Sequence, residues 1–317
     1  SQRFTIYVYN SNGSYITQIG KKGRGPGEFQ NIYSLDIHEN QLYAYDYQQR
    51  KIYVFSLGSF ILSHTINLNP ENWNHIKGLK NSFPTRFFAR NDEVLLMSFT
   101  QIPQPNQFDE QTYKKYFLLN KKGEIISDLV YQQKGVEYLI SNWGGGLNLL
   151  KPPFTRSSLM AVSEDGTIFS AWSEEFLIKV YSPEGHYLYA FYYPLMPSSL
   201  NKKSFLDLYN EQPLLQKSYK SSKIPNTWPV LNQMLLDDEN RLWVSTITDN
   251  EDYYLWWVVD EEGKLLARLK WPGKRLARDI SKLNRIIIKN GFLYAIEANE
   301  RNGLQEVVQY RVKIGEL

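Results

Sequence analysis

The chain has 317 residues, 42% hydrophobic and 15% aromatic, enough for one large domain or two ordinary ones with a substantial core. Its net charge of +3 is small and dispersed, with no basic run of the kind that binds nucleic acid or a membrane. Cysteine is absent, which excludes disulfides, thiolate metal sites and a cysteine nucleophile.

Ser1 opens straight into a strand, with no leader, so the start reads as cut and leaves room for a lipid anchor upstream. No apolar stretch approaches the roughly 20 residues needed to cross a bilayer. From Phe4 to Gly20 the sequence FTIYVYNSNGSYITQIG reads as two strands around a glycine turn. The glycine-rich connector from Ile19 to Phe29 follows, and from Ile32 to Gly58 the same phrase returns, IYVYN now as IYVFS. A phrase repeating at about 45 residues marks a stacked or radial repeat.

Two kinds of hairpin then alternate. The first kind begins at Ser34, Arg86, Leu159, Gln233 and Arg285 and pivots on Glu39-Asn40, Asn91-Asp92, Asp165-Gly166, Glu239-Asn240 and Asn290-Gly291. Such residues tolerate the backbone of tight turns. The second kind begins at Ile6, Ile52, Tyr116, Ile178 and Trp257, and a spare strand covers Val307 to Ile314. Four-stranded meanders built from these pairs give an all-β propeller. Six blades fit best, the first incomplete at the N-terminus, and a five-bladed ring is the alternative. One helix is expected, over Asn201 to Asn210, ending before Pro213.

The phrase Leu42-Tyr43-Ala44-Tyr45-Asp46, followed by Arg50-Lys51-Ile52-Tyr53-Val54-Phe55 and preceded by GRGPGEF, resembles the NHL repeat. That resemblance is specific over residues 4 to 60 and implies a β-propeller, with Asp46 and Arg50 tying a turn together. The run Ser221 to Ile247, with WWVVDEEGKLLARL after it, resembles exported and lipoprotein propellers of the Bacteroidota. This implies an extracytoplasmic protein, in the periplasm, at the outer-membrane surface or secreted.

In a meander the short hairpin turns lie on one face and the other connections on the opposite face. Length varies in the second class: near 69–84, 99–112, 133–156 and 194–230. A single domain with its insertions on one face is expected, and long loops on a rigid scaffold usually carry function.

The glycine-rich connector lacks a Gly-Lys-Ser/Thr ending, and Pro26 removes a backbone donor, so it is structural. His38, His64, His75 and His186 are scattered, and the inner strand ends supply no acid, so no metal and no cofactor are expected. Those ends supply Arg86 and Arg285, with Arg156 nearby, and the asparagines Asn31 and Asn232. Guanidiniums bind carboxylate, phosphate or sulfate in bidentate fashion. Trp73, Trp143 and Trp228 lie in the insertions, placed to stack on a sugar or anchor a partner. The expected function is a non-catalytic, monomeric binding module of the bacterial envelope for a protein, peptide or glycan, not nucleic acid. The alternative is a metal-dependent hydrolase or lyase resembling propeller lactonases.

Overall fold

The computed structural model describes residues 4–91, 93–101, 112–143, 146–273, 286–298 and 305–314. These form two compact units, the first spanning Ser1–Gln104 and Thr112–Gln133, the second Lys134–Leu317.

The first unit opens with the hairpin β1 (Ile6–Tyr9) and β2 (Tyr15–Ile19). A four-stranded meander follows: β3 (Ile32–His38), β4 (Gln41–Asp46), β5 (Lys51–Ser56) and β6 (Leu62–Asn67). A second meander comprises β7 (Ser82–Ala89), β8 (Val94–Gln101), β9 (Tyr113–Asn120) and β10 (Tyr131–Lys134). All neighbouring strands pair antiparallel, as Leu42 opposite Phe55 illustrates. The second strand of the meander is the most buried: Leu42 to Asp46 are all inaccessible. The first strand β3 instead alternates, with Tyr33, Leu35 and Ile37 exposed. The core between the two meanders gathers Tyr43, Tyr45, Val54, Trp73, Phe87, Met97 and Phe117.

The second unit holds the hairpin β11 (Leu139–Trp143) and β12 (Gly146–Leu150), then a meander of β13 (Ser158–Val162), β14 (Ile168–Trp172), β15 (Phe176–Tyr181) and β16 (Tyr187–Tyr193). The helices α1 (Lys202–Asp207) and α2 (Pro213–Ser221) interrupt before a further meander, β17 (Leu231–Leu236), β18 (Leu242–Ile247), β19 (Tyr253–Val259) and β20 (Leu265–Pro272). A three-stranded sheet closes the unit: β21 (Ile286–Lys289), β22 (Phe292–Ala298) and β23 (Gln305–Arg311). The described residues thus form five blade sheets and two separate hairpins, β1–β2 and β11–β12, in an all-β propeller fold.

The turn residues behave as their chemistry requires. Glu39, Asn240 and Asn290 take positive φ angles of 48°, 57° and 53°, and Gly166 takes 91°. Three expectations need correction. The outer strand of the second meander is Tyr131–Lys134, not the GEIISDL segment. That segment makes only an isolated bridge, Leu119 to Ile125, because Ser127 turns its hydroxyl onto the Leu118 amide and ends regular pairing. Two helices, not one, fill the 194–230 insertion: Pro213 starts α2 at a position where its missing N–H costs nothing, rather than merely ending α1. The insertion at 133–156 is itself a hairpin.

The connector is built as a plug. Phe29 is fully buried, with its ring edge-on to Tyr53 at 5.2 Å. Gly20 lies at φ +74°, and a Cβ there would fall 2.3 Å from the Phe29 ring. Gly20→Ala should therefore cost about 2–3 kcal/mol, combining left-handed strain with overpacking. Urea unfolding measures it, and a loss below about 0.5 kcal/mol would contradict the plug.

Candidate functional site

In the first unit, β3 and β7 are the leading strands of neighbouring meanders and pack side by side. The Asp36 carboxylate joins them, accepting the Ala89 amide at 2.8 Å as well as the Ile37 amide at 3.0 Å. Tyr45 adds a second tie by donating its hydroxyl to the Pro84 carbonyl at 3.0 Å. Burial pushes the Tyr45 phenol up, with Tyr47 and Tyr33 adding to the effect, so it stays a donor.

Arg86 sits on β7 in this seam. Ser98, fully buried on β8, grips its backbone from both sides, accepting the Arg86 amide and donating to the Arg86 carbonyl at 2.9 Å each. The guanidinium lies over the Phe88 ring at 4.6 Å. The side chain reaches solvent, yet desolvation by surrounding protein lowers its pKa, while Tyr116, Asp36 and Tyr33 nearby oppose that shift. Asp36 is pushed up, first by burial, although the two amides and Arg86 draw it down.

Aromatic rings surround this seam. Tyr33 and Tyr47, both exposed, lie 5.8 Å apart. Tyr33 stands edge-on to Tyr45 at 6.0 Å, and Tyr47 edge-on to Phe83 at 6.1 Å. Beneath them Tyr116 is buried and accepts the Gln133 side-chain amide at 2.5 Å. A cationic group near an exposed tyrosine can bind an anion attached to a ring or an apolar body.

The other expected site residues fare differently. Arg156 is buried, its guanidinium donating to the Phe154 and Thr227 carbonyls and to the Thr227 hydroxyl. Its amide donates to Glu137. It staples the 133–156 and 194–230 insertions together, so its bidentate fork is already spent on the protein. Trp73 is also buried, donating to the Ser82 carbonyl at 3.1 Å against Phe99, and Trp228 is 2% exposed in the second unit's core. Neither indole offers a face to a ligand, because each insertion uses its tryptophan to bury itself. Asn232 donates to the Ser245 hydroxyl at 3.2 Å. The Asn31 backbone pairs with Asp46 and Tyr47, next to the tyrosine pair. Trp143 ends β11. Arg285 and most of the 99–112 insertion lie outside the described residues.

Tyr33, Tyr47 and Asp36 escaped the sequence reading. Tyr33 sits in an alternating apolar strand that reads as core. The one available signal was its phase: Tyr33, Leu35 and Ile37 share a face of a first strand. Among the described residues no three His, Cys, Asp or Glu side chains converge as a metal cage.

Residues 1–143 match the family DUF5128, described as a 6-bladed beta-propeller. No curated protein matches the sequence. Among solved structures, a protein of Bacteroides fragilis inferred to be exported is 14% identical, with 93% of this chain and 74% of that chain covered and a TM-score of 0.49. A Bacteroides caccae protein of unknown function is 9% identical, covering 98% and 87%, with a TM-score of 0.44. AztD from Citrobacter koseri is 9% identical, covering 91% and 77%, with a TM-score of 0.40.

Proposed function

We propose that this propeller is a non-catalytic binding module of the bacterial envelope, which holds an anionic group of a protein, peptide or glycan at Arg86. The observation that carries this reading is an exposed arginine whose guanidinium lies over the Phe88 ring, with the Asp36 carboxylate and the exposed Tyr33 ring nearby. A carboxylate, phosphate or sulfate bound there offsets the desolvation of the cation, and Tyr33 takes the body of the ligand. The six-bladed plan belongs to the same reading, with β1–β2 as the outer pair of an incomplete first blade. The match of residues 1–143 to a family so described supports it.

The test uses probes in matched pairs: uronic-acid oligosaccharides against their neutral counterparts, and short peptides with free or amidated C-termini. The acidic member of at least one pair should bind the wild type more tightly by about tenfold or more, the worth of a charge-assisted hydrogen bond. Arg86→Gln should erase that preference without moving the melting temperature, and Arg86→Lys should restore only part of it. Equal binding within every pair, or a preference that survives Arg86→Gln, would overturn the assignment.

A further inference from the structure

The insertion between β16 and β17 is locally cationic. Residues 201–223 carry five lysines, Lys202, Lys203, Lys217, Lys220 and Lys223, against Asp207 and Glu211, a net +3 that equals the formal charge of the whole chain. The 31 basic and 31 acidic residues elsewhere cancel. The small net charge read along the sequence therefore conceals locally cationic segments, this insertion and residues 274–285 with a net +4.

That flap is a fixed platform. Its neck is closed by paired backbone, with the Leu200 amide donating to the Asn226 carbonyl at 2.8 Å and Trp228 to Ser198 at 2.9 Å. Lys202 and Lys203 leave this neck, and Lys223 returns to it. Underneath, Phe205 packs on Phe154 at 4.9 Å, and Tyr209 on Tyr219 at 4.8 Å. Gln216 ties the helices by donating to the Leu206 carbonyl at 3.0 Å. All five lysines are exposed. Among the described residues none forms a salt bridge, and Lys220 bonds only to the neutral Gln216. Two apolar side chains of the same insertion stand in water, Leu214 at 59% and Met196 at 90% exposure.

We propose that this flap docks the protein on an anionic lipid surface. Lysine ammoniums on flexible stems act as point charges and suit a diffuse negative field, whereas a structured acidic partner favours the planar fork of arginine, absent here. Leu214, three residues before Lys217 on α2, can enter the head-group region beside that charge. The inference is independent of the Arg86 site.

Co-sedimentation of the full chain with vesicles tests it, using phosphatidylcholine alone and phosphatidylcholine mixed with phosphatidylglycerol. Binding should require the anionic lipid and disappear in high salt, where the Debye length shrinks to about 3 Å. Changing all five lysines to Gln should weaken it by about a hundredfold or more, while uronate and peptide binding stay unchanged. A control with Lys121, Lys122, Lys179, Lys264 and Lys289 changed to Gln should retain most of the affinity, and Arg86→Gln all of it. Equal binding to both vesicle types, equal loss in both five-lysine variants, or capture of soluble polyglutamate without vesicle binding would overturn the proposal.

Discussion

Replacing Asp46 with alanine should lower stability by about 4 kcal/mol, near the upper end for a single substitution. The carboxylate is fully buried at the end of β4 and accepts four hydrogen bonds: the Gln30, Asn31 and Gln49 amides at 2.5, 3.2 and 2.9 Å, and the Gln49 side chain at 3.0 Å. Gln49 also donates to the Glu28 carbonyl at 2.7 Å and accepts from Tyr53. One acid thus locks the glycine-rich connector onto the turn between β4 and β5. Alanine strands buried donors that each cost about 1–3 kcal/mol, only partly relieved by entering water. The melting temperature should fall by about 8–15 °C. Asp46→Asn should lie between, because its amide offers one acceptor and turns a donor towards other donors. Denaturant unfolding measures both, and a loss under about 1 kcal/mol for Asp46→Ala would refute the lock.

Asp237→Ala should cost about 3–4 kcal/mol by the same physics in the other unit. Asp237 follows β17 and accepts the Glu239 and Arg241 amides at 3.0 and 2.9 Å, the Arg241 Nε at 2.7 Å and the Trp243 Nε1 at 2.8 Å. The Trp243 ring is 1% exposed, so its N–H has no solvent to turn to. Asp237→Ala combined with Trp243→Phe should cost less than the sum of the single changes, since the second removes the stranded donor. Additive losses would show that the indole bond contributes nothing.

The blade strands were legible because propeller strands are short, aromatic and bounded by turn residues whose side chains permit positive φ. Every leading hairpin begins within a few residues of its expected place. The last blade strand, read from Val307, is found as Gln305–Arg311. Asp46 was legible as a structural residue, but its partners are Gln49 and backbone amides rather than the Arg50 guanidinium. Arg50 contributes backbone instead, at φ 53° with its carbonyl accepting the Leu68 amide.

Of the residues in the proposed site, only Arg86 was singled out from the sequence. A pattern of types cannot tell an arginine that faces solvent from one that cross-links two insertions, and Arg156 does the latter. The tryptophans were ambiguous for a related reason: a long insertion needs its own small core, and its largest ring is the cheapest means of making one. Tyr33 gave the opposite error, because an exposed aromatic on a strand has the same sequence pattern as a buried one, and Tyr47 lies in the turn after β4. The cationic flap was hidden by spacing, its lysines being 14 residues apart at the gap between Lys203 and Lys217 and gathered only by the paired neck.

The central claim is that a ligand anion sits on Arg86 near Tyr33. A crystal structure of the protein with its tightest-binding uronate or free-acid peptide tests this most directly. The account predicts the carboxylate at about 3 Å from the Arg86 guanidinium, with the ligand body against Tyr33. A ligand seated elsewhere, with the Arg86 side chain unoccupied in the same crystals, would contradict it.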